Sequence, residues 1–200
     1  TVELPPAAGA YLSGPIVISS NTNLQVDGGA ILQALPFGVY PRSTTAPAHV
    51  ITVASGSTNV EISGSGIIDG NGAPWWAAYD AGLISNRPRL VQITKTTNVC
   101  FSGVTFQNSP NFHLAFGGLN NQVTIFGVTI SAPGTSPNTD GMDLAGTNML
   151  VQNCSVSDGD DNIVAKPGSV FCRNIYVANC AFGTGHGVSV GGRVGALPLG

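Results

Sequence analysis

Charge is scarce in this 200-residue chain: Asp, Glu, Lys and Arg make up 8% of it, and its seven cationic side chains are scattered. No basic stripe is present to neutralise a phosphate backbone, so nucleic acid is not an expected partner. Long apolar runs are also missing. The 27 glycines and 13 prolines interrupt the sequence well short of the roughly 18 apolar residues a membrane-spanning helix needs, so no membrane partner is expected. Cysteine is sparse: Cys100, Cys154, Cys172 and Cys180 form no CxxC pair, and no histidine stands at zinc-ligand distance from them. No metal site and no cofactor are therefore expected, and disulfide pairing stays open. The chain begins at Thr1 without a charged segment leading into an apolar one, as a mature exported protein or a cloned fragment would.

What is present is a 42% apolar composition, enough for one globular domain with a core. Helical periodicity is almost absent, and the apolar residues come in short β-branched runs split by Gly, Asn and Ser. Six segments share one pattern of Asn or Gln, a strand of about four residues, a Gly or Asn pivot, and a second short strand. They are Asn23–Gly28, Asn59–Gly64, Asn98–Gly103, Gln122–Gly127, Asn148–Asn153 and Asn174–Asn179. The last four pivots, Gly103, Gly127, Asn153 and Asn179, are spaced by 24, 26 and 26 residues. Gly and Asn adopt left-handed backbone angles most easily, so one sharp bend per coil is expected. Coils stacked about 4.8 Å apart would pair equivalent strands and bury one column of side chains. That reading predicts an all-β parallel β-helix over residues 1–200, with Val104, Phe106, Val128, Ile130, Val156 and Phe182 inward and Cys154 stacked on Cys180. A β-sandwich gives no reason for a constant pivot spacing.

In such a solenoid, residues equivalent in the repeat become neighbours. After the second strand, three successive coils read Pro137-Asn138-Thr139-Asp140-Gly141-Met142, Asp158-Gly159-Asp160-Asp161-Asn162-Ile163 and Thr184-Gly185-His186-Gly187-Val188. Aligning Met142, Ile163 and Val188 as inward residues puts Asp140, Asp161 and His186 at one repeat position, with Asp160 beside them. Crowded carboxylates oppose each other's ionisation, so one should have a raised pKa while another stays charged. A neutral acid beside an anionic base suits glycosidic cleavage, in which one protonates the leaving oxygen and the other activates water. Calcium binding is the competing use of the cluster. Asp69, Asp80 and Asp158 read as turn-formers, and His49 and His113 as structural. Trp75 and Trp76 read either as a sugar-stacking platform or as core or end-cap packing.

Five strings in order resemble the polygalacturonases of glycoside hydrolase family 28: Ile68-Asp69-Gly70-Asn71-Gly72-Ala73-Pro74-Trp75-Trp76, Asn108-Ser109-Pro110-Asn111-Phe112-His113-Leu114, Asn138-Thr139-Asp140-Gly141, Gly159-Asp160-Asp161-Asn162 and Gly185-His186-Gly187. The resemblance implies a right-handed parallel β-helix and inverting, metal-free hydrolysis of α-1,4-galacturonosidic bonds in pectin. By the same carry-over Asp160 is the general acid, Asp140 and Asp161 activate water, and His186 supports the acid. Asn138, Gly185 and Gly187 fall among the substrate-binding positions. The family's Arg-x-Lys, which reads the substrate carboxylate, has no counterpart here, and by the repeat count its coil would centre just past Gly200. The chain is accordingly expected to lack its C-terminal part and to be weak alone, with Arg193 a candidate substitute cation.

The expected partner is galacturonan, the expected state a monomer and the expected location extracellular. Two rivals remain. A calcium-dependent pectate lyase would need Lys166 or Arg193 as base and would yield an unsaturated product. A non-catalytic carbohydrate-binding β-helix would keep binding without hydrolysis.

Overall fold

The computed structural model describes residues 1–166 and 172–191. Among them it holds one helix, α1 (Ala73–Asp80), and three seven-stranded parallel sheets. The strands run through the sheets in rotation, so each pairs with its equivalent one coil away. The architecture is a right-handed parallel β-helix.

The pivots behave as their chemistry requires. Gly103, Gly127, Asn153 and Asn179 have φ of 73°, 62°, 57° and 53°. They stand in a row, because the amides of Gly103, Gly127 and Asn153 donate to the carbonyls of Phe126, Gln152 and Ala178, each just before the next coil's pivot. A second left-handed row opens the same strands at Asn21, Asn59, Asn98, Gln122, Asn148 and Asn174, with φ between 54° and 60°. Its side-chain amides bond from coil to coil: Asn59 donates to Asn21, Asn98 to Asn59 and Asn174 to Asn148, each at 2.9 Å. This row corrects the first repeat. Asn21, not Asn23, aligns with Asn59, and Val26, not Gly28, pairs with Gly64. A Cβ on Gly64 would lie 2.0 Å from the Val26 carbonyl oxygen, so glycine there serves close coil approach as well as its φ of 116°.

Each sheet sends one file of side chains inward. Ile62, Phe101, Ile125 and Val151 form one, Ile68, Phe106, Ile130 and Val156 a second, and Val91, Leu114, Met142 and Ile163 a third, all at most 2% exposed. Each such side chain contributes about 1.5–3 kcal/mol by leaving water. Phe182 keeps the inward register opposite Val156 but, on the terminal strand of its sheet among the described residues, is 39% exposed. Trp75, from α1, is fully buried in the core, its ring 5.2 Å from Phe37 and 5.6 Å from Tyr40. It is core, not platform. The four cysteines are free thiols, Cys154 buried and Cys180 half-buried.

The longest connections, residues 35–50 and 70–90, both join the second sheet to the third. The acidic strings occupy the same corner in later coils, so the long loops rise beside them. Among the described residues no helix is long and apolar enough to cross a membrane.

Candidate active site

The predicted alignment is the observed register: Met142 pairs with Ile163 and Ile163 with Val188. Asp160, Asp161 and His186 converge as a result. Each contributes an oxygen or nitrogen to a group whose atoms all lie within 4.8 Å of one another. His186 Nδ1 is 3.4 Å from Asp160 Oδ1 and 3.6 Å from Asp161 Oδ1. All three reach solvent, with side-chain exposures of 65% for His186, 26% for Asp160 and 21% for Asp161.

Local bonding fixes these groups one by one. The Asp160 amide donates to Asp158 Oδ1 at 3.0 Å, closing the turn, and the Asp161 amide donates to Asp160 Oδ1 at 3.0 Å. Asn138 Nδ2 reaches Asp160 Oδ2 at 3.2 Å, and Ser189 Oγ donates to Asp161 Oδ1 at 2.8 Å. The His186 loop is tied down by buried Asn162, whose Nδ2 donates to the Thr184 carbonyl at 2.8 Å and whose Oδ1 accepts the Gly187 amide at 2.9 Å. The His186 amide donates to the Asp160 carbonyl at 2.7 Å. Gly185 has a packing reason for lacking a side chain: φ is +125°, and a Cβ would stand 2.3 Å from Asn162 Nδ2. Gly187 has φ of +77° and open space around it. Arg193 lies outside the described residues.

Asp140, expected at the same repeat position as Asp161 and His186, does not share their access to solvent. It is 3% exposed, and its Oδ2 is 2.7 Å from Lys166 Nζ, which also lies 2.9 Å from Asp143 Oδ2. The second oxygens of Asp140 and Asp143 are buried without partners. Burial pushes the Asp140 carboxyl above its ordinary value against the pull of Lys166, and Asp160 adds to the rise. Burial, then the Asp140 charge, pushes Asp143 up to about 7. Lys166 is itself raised, the two carboxylates outweighing its burial. Asp158, read as a turn-former, does close the turn, yet it is fully buried and desolvation pushes it up to about 6. His113 is structural: its amide donates to the Asp140 carbonyl, its Nε2 accepts from the Ser109 amide, and burial lowers it to about 4.

The match to known proteins agrees with this frame. Residues 4–196 match the sequence profile of glycosyl hydrolases family 28. The chain belongs to that family. This family 28 chain is 34% identical to an endo-polygalacturonase of Pectobacterium carotovorum subsp. carotovorum, over 92% of its own length and 52% of the relative's. A second endo-polygalacturonase, from Pectobacterium parmentieri, is 36% identical over 90% of the chain and 51% of that protein. The chain thus spans about half the length of the curated relatives it matches. Among solved structures, the polygalacturonase from Erwinia carotovora ssp. carotovora superposes with a TM-score of 0.79 at 33% identity, covering 90% of this chain and 57% of that one. A family 28 exopolygalacturonase of Yersinia enterocolitica gives the same TM-score at 23% identity, a likeness of fold.

Sequence reasoning missed two charged groups beside the cluster, Asp143 and Arg87, and read a third, Lys166, only as the base a lyase would need. Asp143 and Lys166 belong to no quoted string, although the register places Asp143 opposite Val164, two residues before Lys166. Arg87 lies in the connection after α1, and its guanidinium bonds Asn138 Oδ1 at 2.8 Å. No spacing rule singles it out.

Proposed function

We propose that this chain carries the hydrolytic centre of an enzyme that cleaves α-1,4-galacturonosidic bonds in the homogalacturonan of pectin, with inversion at the anomeric carbon. The observation that carries this reading is the convergence of Asp160, Asp161 and His186 on one solvent-reaching rim, in a member of family 28 with Asp140 close behind. In the proposed step Asp160 gives its proton to the glycosidic oxygen as the bond to the anomeric carbon breaks. Water attacks that carbon from the opposite face, and its proton passes to the carboxylate pair Asp161 and Asp140. His186 holds its place beside both rim carboxylates and supports the acid. Asn138 and the open backbone at Gly187 line the approach of the sugar. The relatives' names as polygalacturonases support galacturonan as the substrate class. Export is part of the reading, because a cell-wall polymer is reached only from outside the cell.

Asp160→Asn tests the assignment, since the amide keeps the shape of the side chain and lacks the transferable proton. Reducing-sugar release from polygalacturonate should fall by at least about a thousandfold, in line with loss of a general acid and its electrostatic support, with the circular-dichroism spectrum unchanged. Proton NMR of the first product should show the inverted anomer. An unsaturated, chelator-sensitive product would instead identify a calcium-dependent lyase, and tight binding without turnover by the unmutated protein would identify a binding module.

A further inference from the structure

We propose that Arg87 is a positioning residue that sets the orientation of the Asn138 side-chain amide, so that Asn138 presents a donor and not an acceptor to Asp160. The proposal rests on the reading of Asp160 as the general acid and adds to it a residue that none of the quoted strings contains.

Arg has five N–H donors in a fixed planar fork and no acceptor. Arg87 Nη1 donates to the Pro110 carbonyl at 2.9 Å and the Pro137 carbonyl at 2.6 Å, and Nη2 donates to Asn138 Oδ1 at 2.8 Å. Its plane is held from another side by Tyr79 of α1, whose ring centroid is 3.9 Å from Cζ. The fork therefore spans a helix and two successive coils, and it is not free to turn away.

Asn138 can present either end of its amide to a neighbour, and the two ends have opposite hydrogen-bonding sense. A donor-only partner at one end removes the choice. With Oδ1 facing Arg87, Nδ2 must face Asp160, where it lies 3.2 Å from Oδ2. Asn138 itself has φ of +50°, a left-handed geometry that an asparagine tolerates, and the Pro137 carbonyl bound by Arg87 belongs to the same peptide link. Arg87 thus fixes both the backbone turn and the amide it carries. Without the guanidinium the amide is free to turn over and offer Oδ1 to Asp160. A protonated Asp160 would then donate to Asn138 in competition with the glycosidic oxygen.

The test reads the amide directly and requires no turnover. In protein labelled with nitrogen-15, the Asn138 side-chain amide, identified by its loss in Asn138→Ala, should shift with pH as Asp160 ionises, and Asp160→Asn should abolish that shift. In Arg87→Met, which keeps the apolar stem, the pH-dependent shift should fall at least threefold. In the same variant kcat on polygalacturonate should drop about tenfold with KM within about twofold, the size expected when one charge-assisted hydrogen bond is lost. Arg87→Lys, a single-point donor, should keep part of both. A shift of full size in Arg87→Met overturns the proposal. If Arg87→Met does not fold, Arg87→Lys decides, and a full-size shift there accompanied by a tenfold fall in kcat overturns it equally. Loss of the shift with kcat unchanged upholds the orienting role of Arg87 and overturns instead the assignment of Asp160 as the acid.

Discussion

Replacing Lys166 with Met should destabilise the protein by an amount that depends on pH. In the parent, the ammonium sits 2.7 Å from Asp140 and 2.9 Å from Asp143, whose side chains are 4% and 7% exposed. Arg89 adds only a longer-range attraction to the two carboxylates, and its own fork is engaged with Gln92 and packed over Phe112. Removing one partner of a buried ion pair costs about 3–5 kcal/mol, because the remaining charge is stranded. Lys166 is a third exposed, which places the expected cost near the lower end, at about 3 kcal/mol around pH 8. The carboxyls have an escape, which is to take up protons. Both already sit above their ordinary value of 3.8, Asp143 at about 7, and the substitution should raise them further. For a group raised in the folded state, the folded form holds more protons between the two pKa values, so stability falls as pH rises through that window. At about pH 4 both carboxyls are largely protonated in the folded variant and little charge is left to strand, so the deficit of Lys166→Met should shrink there to about 1 kcal/mol or less. Urea unfolding followed by circular dichroism at about pH 4, 6 and 8 measures the deficit, with the slope against urea checked for constancy. A deficit of the same size at all three pH values would refute the reasoning, since it would mean that lost packing of the lysine stem, not stranded charge, sets the cost.

Two further outcomes are expected. Gly159→Ala places a Cβ 2.0 Å from the Ser136 carbonyl oxygen, directly under the Asp160 turn; it should cost about 3 kcal/mol or more and suppress hydrolysis, and a melting temperature within a degree or so of the parent would contradict the close approach. His113, fully buried, is lowered from 6.5 to about 4, so its contribution is present above 6.5 and lost as pH falls through 4; the parent should lose about 3 kcal/mol more than His113→Asn over that interval, read as the difference between their urea-unfolding curves.

The repeat was readable because its punctuation is chemical: only Gly and Asn sit at the left-handed pivots 103, 127, 153 and 179, and all four have positive φ. The first coil was misread by two residues. Asn21 and Asn23 are both plausible heads, and Asp27-Gly28-Gly29 offers turn residues just past the strand end. Helix α1 escaped because its inward residues, Trp75, Ala78 and Tyr79, span little more than one turn, too short a stretch to establish a helical period. The rim of the site was readable, since repeat alignment is enough to bring Asp160, Asp161 and His186 together. Its buried half was not. Which face Asp140 and Asp143 take, and whether a lysine two residues past an aligned position reaches them, depends on side-chain direction at the corner of the coil. Arg87 lies deeper still in three-dimensional information, because its partners come from three separate stretches of chain.

The asparagine row holds its register across coils of very different length: Asn21 to Asn59 spans 38 residues and Asn59 to Asn98 spans 39, whereas Asn148 to Asn174 spans 26. The surplus is taken up at one corner, by residues 35–50 and 70–90, with the strands above and below still in step. Insertion tolerance and register keeping are therefore assigned to different corners of the same coil. A lineage can lengthen, shorten or exchange the walls beside the carboxylates one coil at a time, and the ladder returns each new loop to the same starting point. Such a fold can reshape the rim of its candidate site without renegotiating its core.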